Sequence, residues 1–509
     1  MVAIVFHKEL TMEPILNQEQ LLVVLKSIFN IKTMKRYNSI FILFFAASIL
    51  SGCKKDFLDR EPISDLTEGN FFKNGNDAES AIIAAYDNLQ TEYYIFDYYI
   101  NNDVVSDDCY AGGDNQNNFQ LDRFTTTTTN GNVNRDWIYL YDAISRTNAV
   151  LDNVGNINSP DLTETRKQEI LGEAAFLRAM HYFQLVNLYG AIPLITHKVN
   201  STDPSIVYQA RVPVEAIYES IITDLNFAVS RVPWVYPSSK QRATRGACYA
   251  LLAKAHAHKP TPNWTEVLNA TSAITSSGPY TLMTNYNFLW DGNHENCAES
   301  IFEIQFIASG SEANWGPQLT LPPSITKDSW RKFNTPSNDL IAAFKAAGDT
   351  LRYHASIVYE SGLPWKDSYF PNDTIPFTYK LRTASGWASP NNNILIRLAD
   401  VILLQAEAKT ELNDLSGAIT DLNIIRTRAM LPNTHAVSQD QLRDSIALER
   451  RLELAFEGHR WFDLKRTGKA ISTMNNLNLD YNVTTERLLW PIPQNELDRN
   501  PKLTQNPGY

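Results

Sequence analysis

Cysteine is scarce. The 509 residues hold four: Cys53, Cys109, Cys248 and Cys297. None stand at metal-ligating spacings, and so few cannot build a disulfide framework. Cys248 lies in an apolar helical run and reads as a buried thiol. Excess positive charge is also missing. The formal net charge is −11, and no basic stretch is interleaved with aromatics, which argues against a nucleic-acid partner. No run of 18 apolar residues occurs, so nothing reads as a transmembrane helix. HExxH, GxSxG, a Walker A loop and GxGxxG after a strand are absent. His256 and His258, at i, i+2, point to different faces of a helix and make no metal pair. The expectation is therefore no catalytic residue, no metal and no cofactor.

Aromatics are plentiful, with ten Trp, 23 Tyr and 23 Phe. Trp and Tyr anchor cores, and they also stack on the apolar faces of sugar rings. Two stretches concentrate them. Tyr93–Asn118 is rich in Tyr and Phe, then in Asp and Asn, and reads as a loop. Its Asp103, Asp107 and Asp108 could hold Ca²⁺, but they lack the ligand order of an EF-hand, so a solvated loop or ligand hydrogen bonds is preferred. Residues 281–393 hold five of the ten Trp, at 290, 315, 330, 365 and 387, among Pro, Gly, Asn and Ser. Short alternating runs such as SIFEIQFI at 300–307 read there as strands.

Elsewhere the apolar period is helical. Helices are expected over Asn76–Tyr93, Arg135–Val154, Leu162–Tyr189, Pro213–Val232, Thr244–His258, Asn263–Ser276, Ile394–Glu411, Asp414–Ala429 and Ser438–Arg466. Consecutive amphipathic helices in pairs predict a mostly α fold. It is a tetratricopeptide-like scaffold (76–280 and 394–466) with a loop-rich insertion (281–393) carrying short strands and an extended tail (467–509).

The densest pattern is Ile446–Gly468. Leu448, Leu452, Ala455, Phe456, His459 and Phe462 share one helical face. Glu449, Glu453 and Glu457 stack at i, i+4, i+8, where like charges repel. Cations must lie along them, and Arg450, Arg451, Arg460, Lys465 and Arg466 are the nearby candidates. Gly458 marks a bend or a close backbone approach. Arginines would drive these carboxyl pKa values down, which is wrong for a general acid. The segment therefore reads as a structural clamp of Glu449, Glu453, Glu457, Arg460 and Trp461.

The N-terminus resembles a bacterial lipoprotein signal. Met34-Lys35-Arg36 is a basic start, Ile40–Leu50 an apolar run too short to span, and Leu50-Ser51-Gly52-Cys53 a lipobox. The reading is a start called too early (1–33), a signal peptide (34–52), then lipidated Cys53 and a tether (53–75) before the main domain (76–509).

Together the pieces resemble the SusD/RagB family of Bacteroidetes outer-membrane nutrient-binding lipoproteins. They include CKKDFLDREP after the lipobox, LGEAAFLRAMHYFQLVNLYGAIPL, NNNILIRLADVILLQAEA, ERRLELAFEGHRWFDLKRTG and the closing WPIPQNELDRNPKLTQNPGY. The resemblance implies a lipid-anchored cell-surface protein that binds an oligosaccharide or similar nutrient. It would deliver this ligand, without catalysis, to a SusC-like TonB-dependent outer-membrane transporter. The glycan candidates are Tyr98, Tyr99, Asp103, Asp107, Tyr110, Trp290, Trp315 and Trp330. Tyr and Trp would stack while Asp accepts hydroxyl protons. The alternatives are a tethered glycoside hydrolase, whose two carboxylates a sequence does not reveal, and a helical scaffold for other lipoproteins.

Overall fold

A computed structural model describes residues 71–237, 241–330, 332–384 and 386–509. The expected signal peptide and lipidated Cys53 lie outside these residues. The helical scaffold begins with α1 (Gly75–Asp87), started by a capping box in which Asn74 accepts from Asp77 N and Asp77 answers at Asn74 N. It continues through α2 (Gly131–Asn153), α3 (Glu164–Tyr189), α4 (Val214–Val229), α5 (Arg245–His258) and α6 (Trp264–Ser277). After the insertion come α7 (Leu398–Glu411), α8 (Leu415–Arg428) and α9 (Gln439–Glu453). Packing follows chain order: α2 on α3, α3 on α4, α4 on α5, α5 on α6, α6 on α7, and α7 on α8 and α9. This is the expected mostly α, helix-pair architecture.

Helix α3 is the hub, and its second half is buried on nearly every side. Small residues make this fit. A Cβ on Gly172 would meet Val232 Cγ1 at 2.9 Å, so the end of α4 closes directly onto α3. Gly190 ends α3 with φ +73°.

Among the described residues, three two-stranded antiparallel sheets and further short helices, Asn338–Ala347 and Thr350–Ser356 within the 281–393 segment among them, complete the fold. β1 (Cys109–Tyr110) pairs with β3 (Thr335–Pro336), β2 (Ser300–Ile304) with β6 (Asn393–Arg397), and β4 (Ile357–Ser361) with β5 (Thr374–Thr378). The β2–β6 pair staples both ends of the 281–393 segment to α7. That segment also contributes two small satellite cores, one around Tyr286, Leu289 and Trp290, the other around Leu363, Ile375 and Phe377.

Four expectations change. The helix expected from Ile394 begins at Leu398. Residues 393–397 form a strand buried along its whole length, and such a short apolar run has no readable period. Tyr93–Asn118 is not a surface loop. It holds two buried π-helical turns (Tyr93–Asp97 and Ile100–Val104), β1 and the start of a short helix, Gln116–Asp122. The tail carries helices α11 (Ala470–Leu477) and α12 (Gln494–Arg499) rather than extended turns alone. The Ser438–Arg466 helix is two, α9 and α10 (Arg460–Arg466), broken where Phe456 and Gly458 take φ of 63° and 73°.

Candidate functional site

The glutamates of Ile446–Gly468 meet cations, but not the neighbouring ones. Arg352, fully buried, reaches Glu449 Oε1 at 2.7 Å and Glu453 Oε2 at 2.8 Å. Arg397 spans Glu453 and Glu457, with Nε 2.6 Å from Glu457 Oε2 and Nη1 2.9 Å from Glu299 Oε1. Arg428 joins Glu299 and Glu453, Arg426 joins Glu449, and Lys380 Nζ lies 2.6 Å from Glu457. Burial alone would raise the Glu453 pKa, but Arg428, Arg397 and Arg352 hold it well below the usual carboxylate range. The nearby cations serve other acceptors. Arg450 binds Asp400 and Asp463, Arg466 binds Glu407 and Asp463, and Lys465 donates to the Asn187 carbonyl. Leu448, expected on the buried face, is 40% exposed.

This clamp absorbs most of the candidates from the first aromatic stretch. Asp107 accepts both Arg460 Nε (2.7 Å) and Nη2 (2.8 Å), and Arg451 binds Asp107 and Asp108. Asp103 accepts from Gly458 N at 3.1 Å. The Tyr98 ring lies so close to Gly458 that a Cβ there would sit 2.2 Å from Tyr98 Cε1. Tyr98, Asp103 and Asp107 are thus buried structural groups, closed to a sugar. Half-buried Tyr99 packs edge-to-face on Tyr98. Tyr110 is buried too. It donates to Asp367 Oδ2 at 2.7 Å and supports exposed Tyr369, 4.4 Å between ring centroids. Trp290 is a core residue whose ring faces Lys380 Nζ at 4.6 Å and Arg397 at 5.7 Å. These positions are buried or half-buried, and local composition does not distinguish a loop from a buried, tightly bonded segment.

The second stretch presents aromatics to solvent. Trp330 is 54% exposed and Trp387 43%, their rings edge-to-face at 6.0 Å and 74°. Two contacts fix the approach to Trp330. Trp365 Nε1 donates to the Ser329 carbonyl at 2.7 Å, and buried Lys332 Nζ donates to the Gln318 carbonyl (3.0 Å) and Thr326 Oγ1 (3.2 Å). Burial lowers the Lys332 pKa to about 8. Trp387 has φ +72°, a strained backbone for an aromatic residue. Its loop is joined to the Trp315 loop by reciprocal Asn314–Ser389 backbone bonds of 2.9 and 3.2 Å. Trp315 itself is half-buried against Phe96. The selection from sequence omitted Trp387. Its small-residue setting, ASGWASP, was the available signal for an exposed ring. Among the described residues no cluster of His, Cys, Asp or Glu could hold a metal ion.

The helical-repeat scaffold thus presents a solvent-facing tryptophan pair on a loop-rich segment. A family model described as starch-binding and associating with the outer membrane matches residues 56–256, and the SusD family model matches residues 367–509. The chain belongs to the SusD-like family. It is 27% identical to SusD-like protein P25 of Formosa agariphila, over 94% of this chain and all of that one. A solved laminarin-binding SusD-like protein superposes with TM-score 0.74 at 27% identity, covering 86% of this chain and 100% of its own. Surface glycan-binding protein A from Bacteroides thetaiotaomicron, solved with laminarihexaose, gives TM-score 0.72 at 23% identity, over 85% of this chain and all of that one.

Proposed function

We propose that this protein is a lipid-anchored outer-membrane glycan binder that captures an oligosaccharide at the cell surface and passes it to a SusC-like TonB-dependent transporter. The observation that carries the reading is the exposed Trp330–Trp387 pair. Two aromatic planes set at a steep angle can each take the C–H face of a different sugar unit. The kinship supports glycan as the ligand class, since relatives bind laminarin and laminarihexaose. No catalysis is assigned: members of this family bind carbohydrate and are not enzymes. The outer-membrane wording of the matched family model supports the location, and the lipobox at Leu50–Cys53 supports the anchor. The test has two arms. Calorimetry of the soluble chain against laminarin, starch and xylan gives saturable binding to at least one. Co-purification of the full-length lipoprotein from membranes recovers a barrel transporter. No binding across the glycans removes the ligand assignment, and recovery of other lipoproteins without a barrel removes the transporter assignment.

A further inference from the structure

Besides the Trp330–Trp387 pair, two open grooves share one buried carboxylate in their walls. The first, about 310 Å³, is lined by Trp234, Val235, Tyr236, Tyr280, Cys297 and Glu303 among others. The second, about 350 Å³, is lined by Gln90, Arg242, Gln305, Glu312 and again Glu303. The aromatic wall is firmly set. Trp234 is backed by Tyr249, stacked at 5.9 Å and 29°, with the Arg245 guanidinium 6.0 Å from the ring centroid. Tyr280 is seated over Gly246, where a Cβ would fall 2.3 Å from its hydroxyl, and that hydroxyl bonds Thr244 Oγ1 at 2.9 Å. Val235, at the groove, is 55% exposed, an apolar side chain left facing water.

Glu303 is the unusual member. It is buried, yet its partners are only neutral donors: Asn296 N at 2.9 and 3.0 Å, and Asn392 Nδ2 at 3.0 Å. Lys380, which lines a cavity beside Glu303, is ion-paired with Glu457 instead. A carboxylate offers about four lone-pair directions, and its three bonds leave Glu303 room for one more donor. Arg242, the cation lining the second groove, is already held by Glu79 and Glu173 at 3.0 Å each. Aromatic faces beside an unspent anionic acceptor suit a ligand with apolar ring faces and hydroxyl donors. The same anion, with Glu312, repels uronate and sulfate groups.

We infer that these neighbouring grooves form a second carbohydrate-binding site, selective for neutral glycans, with ring faces on Trp234 and Tyr280 and a hydroxyl donating to Glu303. The inference rests on the glycan reading above. Two sites on one polymer chain act by avidity: holding one end raises the local concentration of the other. Affinity electrophoresis of the full chain in laminarin, starch, xylan and alginate tests this. Trp234→Ala weakens retardation by the best neutral polymer, because loss of one linked site removes the avidity gain. Val235→Arg, at an exposed position that does not threaten folding, produces the same loss by filling the groove. Both variants melting and binding like the wild type, while Trp330→Ala binds weakly, overturns the second site and leaves the glycan reading standing. Retardation by none of the four polymers overturns both. Preferential binding of alginate that Trp234→Ala abolishes overturns the neutral selectivity.

Discussion

Arg352, Arg397 and Arg428 all reach Glu453, and Tyr286 and Lys380 donate to its backbone carbonyl. Removing one member of such a buried network strands the rest, at a cost of about 3–5 kcal/mol. Glu453→Ala is therefore expected to lower the denaturant midpoint sharply while any folded fraction binds glycan with unchanged affinity. Lost affinity in a variant that melts normally would move this cluster from scaffold to site. A second residue sets a pH dependence. Burial raises the Asp122 carboxyl to about 7, with Ala111 N its backbone donor. The folded state then holds a proton that the unfolded chain has released above about 4. Stability from this group is complete below pH 4 and falls as pH rises to about 7. Asp122→Asn should flatten that fall. Its melting temperature gains on the wild type between pH 4 and 8, and a constant difference would refute the assignment.

At the scale of elements, the stretch after Glu453 decides how the C-terminal helices meet the first aromatic segment. Leu454–His459 is a break in which Gly458 adopts φ +73° and takes the Tyr98 ring against its Cα. Gly458→Ala adds both a strained backbone and a clash, so destabilisation comparable to an overpacked core, about 1–3 kcal/mol or more, is expected in urea melts. Arg460→Ala, which uncovers Asp107, should behave similarly. The need for cations along Glu449, Glu453 and Glu457 was legible from spacing, as was close approach at Gly458. Which cations was not legible, because Arg352, Arg397 and Lys380 come from segments that only the fold brings near. Helices α2 to α6 were readable because period and length agree, whereas α1 ends at Asp87, short of the expected Tyr93. The 393–397 strand and the π-helical turns were not, since continuous apolar or aromatic runs carry no period and tertiary burial decides their form.

For the whole molecule, the scaffold and the presented surface divide the aromatics between them. Trp290, Trp461 and Tyr98 hold the body together, and Trp330 and Trp387 face solvent. Composition marked 281–393 as the region to search, and Trp330 within it, but Trp290 and Trp330 stand in equally loop-like sequence. Only packing separates the anchor from the exposed ring. The most direct measurement is calorimetric titration of laminarihexaose, or of whichever neutral oligosaccharide the wild type binds best, into the Trp330→Ala/Trp387→Ala variant. The account predicts affinity lowered by tenfold or more, about 1.4 kcal/mol at least, with a melting temperature close to wild type because both rings are exposed. Unchanged affinity in that variant would contradict the assignment of the tryptophan pair as the glycan platform.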